Sequence, residues 1–152
     1  MEVITDLLPV KRDDPGRLVI LISIDMVDFP EALCDFGSSI NIMPRVLYEK
    51  FFTHPLSETA MCLQLADRTL SFPKGILKNL RVRVGTLYAP ADFVVIETGT
   101  DERAPILGRP FLNTSGAVIY ASAAKISFYI KREEGDVFLQ EQDYTNLRAI
   151  PT

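Results

Sequence analysis

The pattern of apolar and polar positions reads as a chain of short strands. Leu18-Val19-Ile20-Leu21-Ile22-Ser23-Ile24 is an apolar, β-branched run between the turn signal Asp13-Asp14-Pro15-Gly16 and the proline-ended stretch Asp25-Met26-Val27-Asp28-Phe29-Pro30, so it predicts a buried strand bounded by two breakers. Ala32-Leu33-Cys34 predicts a second, shorter strand that runs straight into Asp35-Phe36-Gly37-Ser38-Ser39. Pro44 then opens Arg45 to Phe52, a predicted helix, because proline suits the first helical position and Leu47 and Phe51, four apart, share a face. From Met61 the periodicity turns to two. Residues 62–66 and 69–72 flank Asp67-Arg68 as the arms of a hairpin, and Leu80, Val82 and Val84 alternate with Arg81 and Arg83 as one buried and one solvated face. Phe93 to Ile96 is another apolar strand. Residues 97–103 are polar and acidic, an expected exposed loop. Ile106-Leu107-Gly108 precedes Arg109-Pro110-Phe111-Leu112, where proline opens a short helix. Residues 117–120 and 126–130 are late strands, the second joined to 137–139 through the turn at 131–135.

Many short strands, close turn signals and about one helix predict an all-β fold, a small closed or strongly curled barrel. A length of 152 residues fits one domain and excludes an enzyme built from two large lobes. The domain is placed at residues 14–140, with residues 1–13 and 141–152 as loosely held termini.

Composition narrows the chemistry. With 47% hydrophobic residues the chain supports a real core. Its net charge of −4, with Lys and Arg scattered, lacks the basic stripe that tracks phosphates, so nucleic acid is not an expected partner. Two cysteines, Cys34 and Cys62, and one histidine, His54, cannot close a four-ligand zinc site, and no metal or cofactor is expected. The cysteines read as free, core-filling thiols. Glu2 and Asp6 interrupt the first ten residues and no apolar run is long enough for a bilayer, so an intracellular, soluble protein without signal peptide or membrane contact is expected. His54, in Thr53-His54-Pro55 after the predicted helix, has no nucleophile motif beside it and reads as a surface or cap residue.

What remains is a carboxylate at a strand end. A tight turn at Gly37 projects Asp35 from the strand, and the amides and hydroxyls of Ser38 and Ser39 lie within reach of it. The triplet alone is an ordinary turn, but its surroundings are more specific. Ala32-Leu33-Cys34-Asp35-Phe36-Gly37-Ser38-Ser39-Ile40-Asn41-Ile42-Met43-Pro44 resembles the active-site segment of retropepsin-like aspartic proteases, and more narrowly those of plant Ty3/gypsy-type retrotransposon polyproteins. The resemblance continues, in order, through Leu63 to Arg68, Pro73-Lys74-Gly75, Asp92-Phe93-Val94-Val95 and Pro105 to Leu112, covering roughly residues 18–139.

The resemblance implies a closed β fold in which Ile106-Leu107-Gly108 crosses behind the Asp35 loop, so that Leu107 and Gly108 support it. It places a flap within residues 65–74, with Ala66, Asp67 and Arg68 as tip candidates. It also implies a homodimer, one catalytic Asp35 per chain, acting on a polypeptide (a retroelement polyprotein). The chemistry explains the dimer: one carboxylate takes a proton from water while another protonates the peptide oxygen. Two carboxyl groups about 3 Å apart share one proton. Asp35 is the one aspartate in that context here, and Glu97-Thr98-Gly99 lacks the flanking sequence. Three positions depart from the family pattern: Phe36 stands where a hydroxyl residue is usual, and Tyr120 and Ala124 replace an acidic residue and a glycine. Phe36 also suits an inactive dimerisation or peptide-binding module that keeps the fold.

Overall fold

The computed structural model describes residues 17–64, 68, 70–97, 104–132 and 134–146. β1 (Arg17–Ile24) and β2 (Val27–Asp35) form a hairpin about Asp25 and Met26, both at positive φ (45° and 72°). Two left-handed residues give the turn twist that matches flanking strands. The expected breaker at Asp25–Pro30 is therefore only a two-residue turn, and β2 starts at Val27. Pro30 is accommodated because the register shifts there: Phe29 opposes Ile22 and Ala32 opposes Ile20, leaving Pro30 and Glu31 against Leu21 alone. A bulge is where a residue without an N–H costs no ladder bond. The Leu21 backbone groups bond instead to the Gln142 side chain, N–H to Oε1 at 2.9 Å and C=O from Nε2 at 3.1 Å.

β3 (Ile42–Pro44) leads into α1 (Arg45–Phe51). Pro44 sits one residue before the helix rather than in its first turn. Leu47 is buried as expected, but Phe51 lies exposed and Phe52, just beyond the helix, takes the core position. β4 (Leu63–Gln64) and β5 (Leu70–Ser71) pair antiparallel, which gives the expected hairpin, shorter than its apolar runs. β6 (Gly75–Val84) and β7 (Leu87–Ile96) form a long hairpin turning at Gly85 (φ 60°), extending well beyond the two runs the alternation marked. β8 (Ile106–Leu107) precedes α2 (Arg109–Thr114), with Pro110 in its first turn. β9 (Ala117–Tyr120), β10 (Lys125–Lys131), β11 (Val137–Asp143) and β12 (Thr145–Asn146) complete the described chain. The segment expected to be loose from residue 141 is thus strand as far as residue 146, since β11 pairs with β10 along its whole length and β12 adds to β1.

Six strands in the order β1-β2-β8-β3-β7-β6 close into a barrel through Ser23↔Arg83 and Ile24↔Val82 between β1 and β6. β11-β10-β9 form a second sheet. Its inner residues Ile126, Phe128 and Ile130 join Leu18, Ile20, Val82, Phe93, Leu107 and Phe111 in one core. Phe111 and Phe128, with ring centroids 6.3 Å apart, tie α2 to that sheet. Both helices are too short to hold themselves in water, so burial of Leu47, Phe111 and Leu112 fixes them. Among the described residues no helix is long and apolar enough to cross a membrane.

Candidate functional site

The centre of the barrel wall is an unusual crossing. β8 runs parallel to β2 (Leu33↔Ile106, Cys34↔Leu107) and antiparallel to β3 (Ile42↔Ile106). It therefore fills the gap between the strand that delivers Asp35 and the strand that receives the chain after the loop. Asp35 ends β2. Its Oδ1 accepts the Gly37 N–H at 2.9 Å and its carbonyl accepts the Ser38 N–H at 3.1 Å, which closes the turn predicted at Gly37. The carboxylate is partly exposed, with 22% of its side chain accessible.

Ser38 plays a different part from the one expected of it. Its hydroxyl donates to the Ile40 carbonyl at 2.7 Å and accepts the Ile40 N–H at 3.4 Å, so it braces the loop rather than the carboxylate. Ser39 is half-buried beside it. Phe36, also half-buried, packs its ring on the main core.

Leu107 and Gly108 lie behind the loop. Leu107 is fully buried. Gly108 passes so close that a Cβ there would stand 2.1 Å from the Ile40 carbonyl oxygen and 2.9 Å from that of Ser38. No side chain fits, and the Arg109 N–H bonds to the Ser38 carbonyl at 3.0 Å across the same gap.

Asn41 is the residue that the sequence did not single out. Only 2% exposed, it accepts the Gly108 N–H at 2.8 Å and the Phe111 N–H at 3.4 Å through Oδ1, and donates from Nδ2 to the Asp92 carbonyl at 3.0 Å. One buried amide thus ties the loop to β8, α2 and β7. A polar residue inside the apolar run Ile40-Asn41-Ile42-Met43 was its only signal, because a buried amide must find partners.

Two charged or ionisable neighbours complete the site. The Arg17 Nε lies 3.4 Å from Asp35 Oδ2, across the first rung of β1 and β2. Cys34 is wholly buried, and burial, with the adjacent Asp35 charge second, pushes its thiol well above the ordinary cysteine range. It is a core atom and not a nucleophile. Cys62 is a free cysteine as well, partly buried.

Of the flap-tip candidates, Ala66 and Asp67 lie outside the described residues, and Arg68 adopts a left-handed backbone (φ 71°) between β4 and β5. Beside it Leu70 and Phe72 are largely exposed. His54 is remote from this loop. Its Nε2 meets Asp25 Oδ2 at 2.8 Å, joining the end of α1 to the β1–β2 turn. No group of three metal-ligating side chains occurs among the described residues.

No family model matches the chain, and no curated protein matches it by sequence. Solved structures do. The retroviral protease-like domain of Ddi1 from Leishmania major superimposes with a TM-score of 0.59 at 19% identity, over 82% of this chain and 94% of that one. The EIAV protease, complexed with the inhibitor HBY-793, gives 0.51 at 16% identity, over 73% of this chain and 99% of that one. The fold is retropepsin-like. Within it, β8 and α2 pack behind the Asp35 loop.

Proposed function

We propose that the chain is one half of an aspartic endopeptidase, a homodimer in which Asp35 of each copy forms the catalytic pair and whose substrate is a retroelement polyprotein of the plant Ty3/gypsy type. The observation that carries this reading is a strand-end carboxylate left partly open to solvent on a loop that is otherwise fixed. Ser38, Asn41 and the side-chain-free passage of Gly108 immobilise every turn of the loop around it. Such rigidity suits a group that must meet its symmetry mate at about 3 Å and share one proton with it.

In the proposed reaction a water between the two carboxyl groups loses its proton to the ionised one and attacks the peptide carbon. The protonated one gives its proton to the carbonyl oxygen. Collapse of the tetrahedral intermediate returns the proton to the departing amine. A two-fold axis supplies the second aspartate. β9 supports this, because it pairs only with β10 among the described residues and leaves an edge carrying exposed Val118 and Tyr120. An extended peptide would lie between the loop floor and the β4–β5 hairpin, with exposed Leu70 and Phe72 available to cover it.

The test is cleavage of peptides spanning polyprotein junctions at mildly acidic pH, with and without an inhibitor of aspartic proteases. Asp35→Asn should abolish turnover, since the remaining groups cannot split a proton between two carboxylates. Retained cleavage in that variant overturns the assignment. Phe36 favours a second reading, a peptide-binding module without turnover, because its half-buried ring packs against the core and offers no hydroxyl to the loop. Inert wild-type protein together with an inert Phe36→Thr variant, both still binding peptide, would select that reading.

A further inference from the structure

A groove of about 450 Å³ opens beside the Asp35 loop, within the ~300–1,000 Å³ usual for ligand clefts. Ile40, Met61, Ile76 and Val94 are among its apolar members, and Asn41, Asp92 and Thr114 are its polar ones. Two of those three are already committed. The Asn41 amide is tied to Gly108, Phe111 and the Asp92 carbonyl, and the Thr114 hydroxyl donates to the Pro110 carbonyl at 2.8 Å. Asp92 differs. It is the one charged residue lining the groove, and it stands exposed on β7 between the buried Ala91 and Phe93. The β6 register shifts opposite it, so that Lys78 and Asn79 face Asp92 alone, and Asn79 takes a left-handed backbone (φ 58°). That bulge aims the Asn79 N–H at Asp92 Oδ1, 2.7 Å away, and fixes the carboxylate. Oδ2 has no hydrogen-bond or ion-pair partner among the described residues.

We infer that the groove is a subsite for a basic side chain of the substrate peptide, with Asp92 as the residue that selects it. The inference rests on the peptide-cleavage reading above and deepens it to a substrate preference. One end of the groove is shared with the elements between which the peptide is proposed to lie. Ile40 continues the Asp35 loop, Met61 leads into β4, and both pack on Leu63, Val94 and Ile96. A lysine or arginine side chain matches the rest by its two-part chemistry. Its methylenes lie along the apolar walls, while its cation meets a carboxylate held by one oxygen and open at the other. An apolar residue would leave that charge unpaired, and an acidic one would be repelled.

The experiment titrates methyl-labelled protein, as wild type and Asp92→Asn, with alanine–leucine decapeptides carrying one lysine or, in its place, norleucine. Asp92→Asn keeps an oxygen for the Asn79 N–H, so it removes the charge and spares the bulge. Lysine peptides should shift the Met61, Ile76 and Val94 methyl signals. They should bind wild type about two- to fivefold tighter than norleucine peptides, the range of a partly exposed ion pair, and Asp92→Asn should erase the difference. Equal binding of the two peptides by wild type, a preference that survives in Asp92→Asn, or unmoved groove methyls overturns the subsite. Cleavage of the same peptides is followed alongside, where a lysine at one fixed distance from the cut should raise kcat/KM only when Asp92 is present. Turnover without a lysine preference in either assay removes the subsite and leaves the peptidase reading. An Asp92-dependent preference in binding without turnover supports the subsite and removes the peptidase reading.

Discussion

Replacing Asn41 by leucine should loosen the site more than any other single change of similar size. The two side chains are nearly the same shape, so no cavity opens and the effect isolates the hydrogen bonds. Three are lost: Gly108 N–H at 2.8 Å, Phe111 N–H at 3.4 Å and the Asp92 carbonyl at 3.0 Å. Their costs differ. The Phe111 bond is long and contributes little. The Asp92 carbonyl lies beside a groove of about 450 Å³ that also touches Asn41, Ile40 and Pro110, so water can replace Nδ2 there. The Gly108 N–H is enclosed between the loop and β8 and is left unpaired, which costs roughly 1–3 kcal/mol. Leucine burial returns part of this, and the net expectation is about 2 kcal/mol of lost stability with unchanged denaturant slope. Asn41→Asp separates the roles. It keeps an acceptor for Gly108 but buries a carboxylate, which ionises reluctantly and so has a raised pKa in the folded state. Its stability should be best below the unfolded carboxyl value of about 3.9 and fall as pH rises. Urea unfolding at several pH values measures both. An Asn41→Leu variant within about 0.5 kcal/mol of wild type would refute the assignment of Asn41 as the tie of the loop.

Other perturbations probe the same frame. Gly108→Ala should cost about 1–3 kcal/mol or prevent folding, since its methyl meets backbone oxygens that cannot turn away, whereas Gly37→Ala meets only Asp35 Oδ1 at 3.3 Å and should cost under about 1 kcal/mol by urea denaturation. A double-mutant cycle of His54→Ala and Asp25→Ala should give a coupling of about 0.5–1 kcal/mol, held down by the partial exposure of both side chains; a coupling of zero would mean that their 2.8 Å contact does not anchor α1. Cys34 should resist alkylation in the folded protein while Cys62 reacts. Because the folded thiol is raised above its ordinary value of 9.0, stability is intact below that pH and falls as pH rises past it, by up to about 1.4 kcal/mol per unit, a slope that Cys34→Ala should remove.

How much of this was legible in the sequence depends on what kind of signal each residue leaves. Runs of β-branched residues marked β1, β7 and β10 because a buried strand needs such surfaces. Strand ends depart from the apolar pattern wherever a polar or proline residue is absorbed by a partner far along the chain. Pro30 reads as a breaker until Gln142 is seen satisfying the bulge opposite it, 121 residues from Leu21. Gln142 itself looks like tail until that bond places it in a strand. At the site, Asp35, Gly37, Leu107 and Gly108 were legible because turn geometry and close approach leave a glycine or an apolar pair in the sequence. Spacing puts Ser38 within reach of the carboxylate, yet its hydroxyl braces Ile40, since spacing cannot tell which of two nearby acceptors a hydroxyl chooses. Asn41 was passed over because an amide in an apolar run has no meaning until its partners on β7, β8 and α2 converge.

The distribution of these restraints bears on the proposal that the chain is half a site. The polar ties around the loop either close it on itself, at Gly37, Ser38 and Ile40, or run inward from Asn41 to β7, Gly108 and α2, and they fix the backbone on which Asp35 stands. The carboxylate itself keeps 22% of its side chain accessible, with Arg17 Nε 3.4 Å from Oδ2. A carboxylate that served only as a structural anchor would need no such bracing of the loop that carries it. Firm backing of a carboxylate left partly open to solvent is the arrangement that the proposed pairing with a second aspartate calls for.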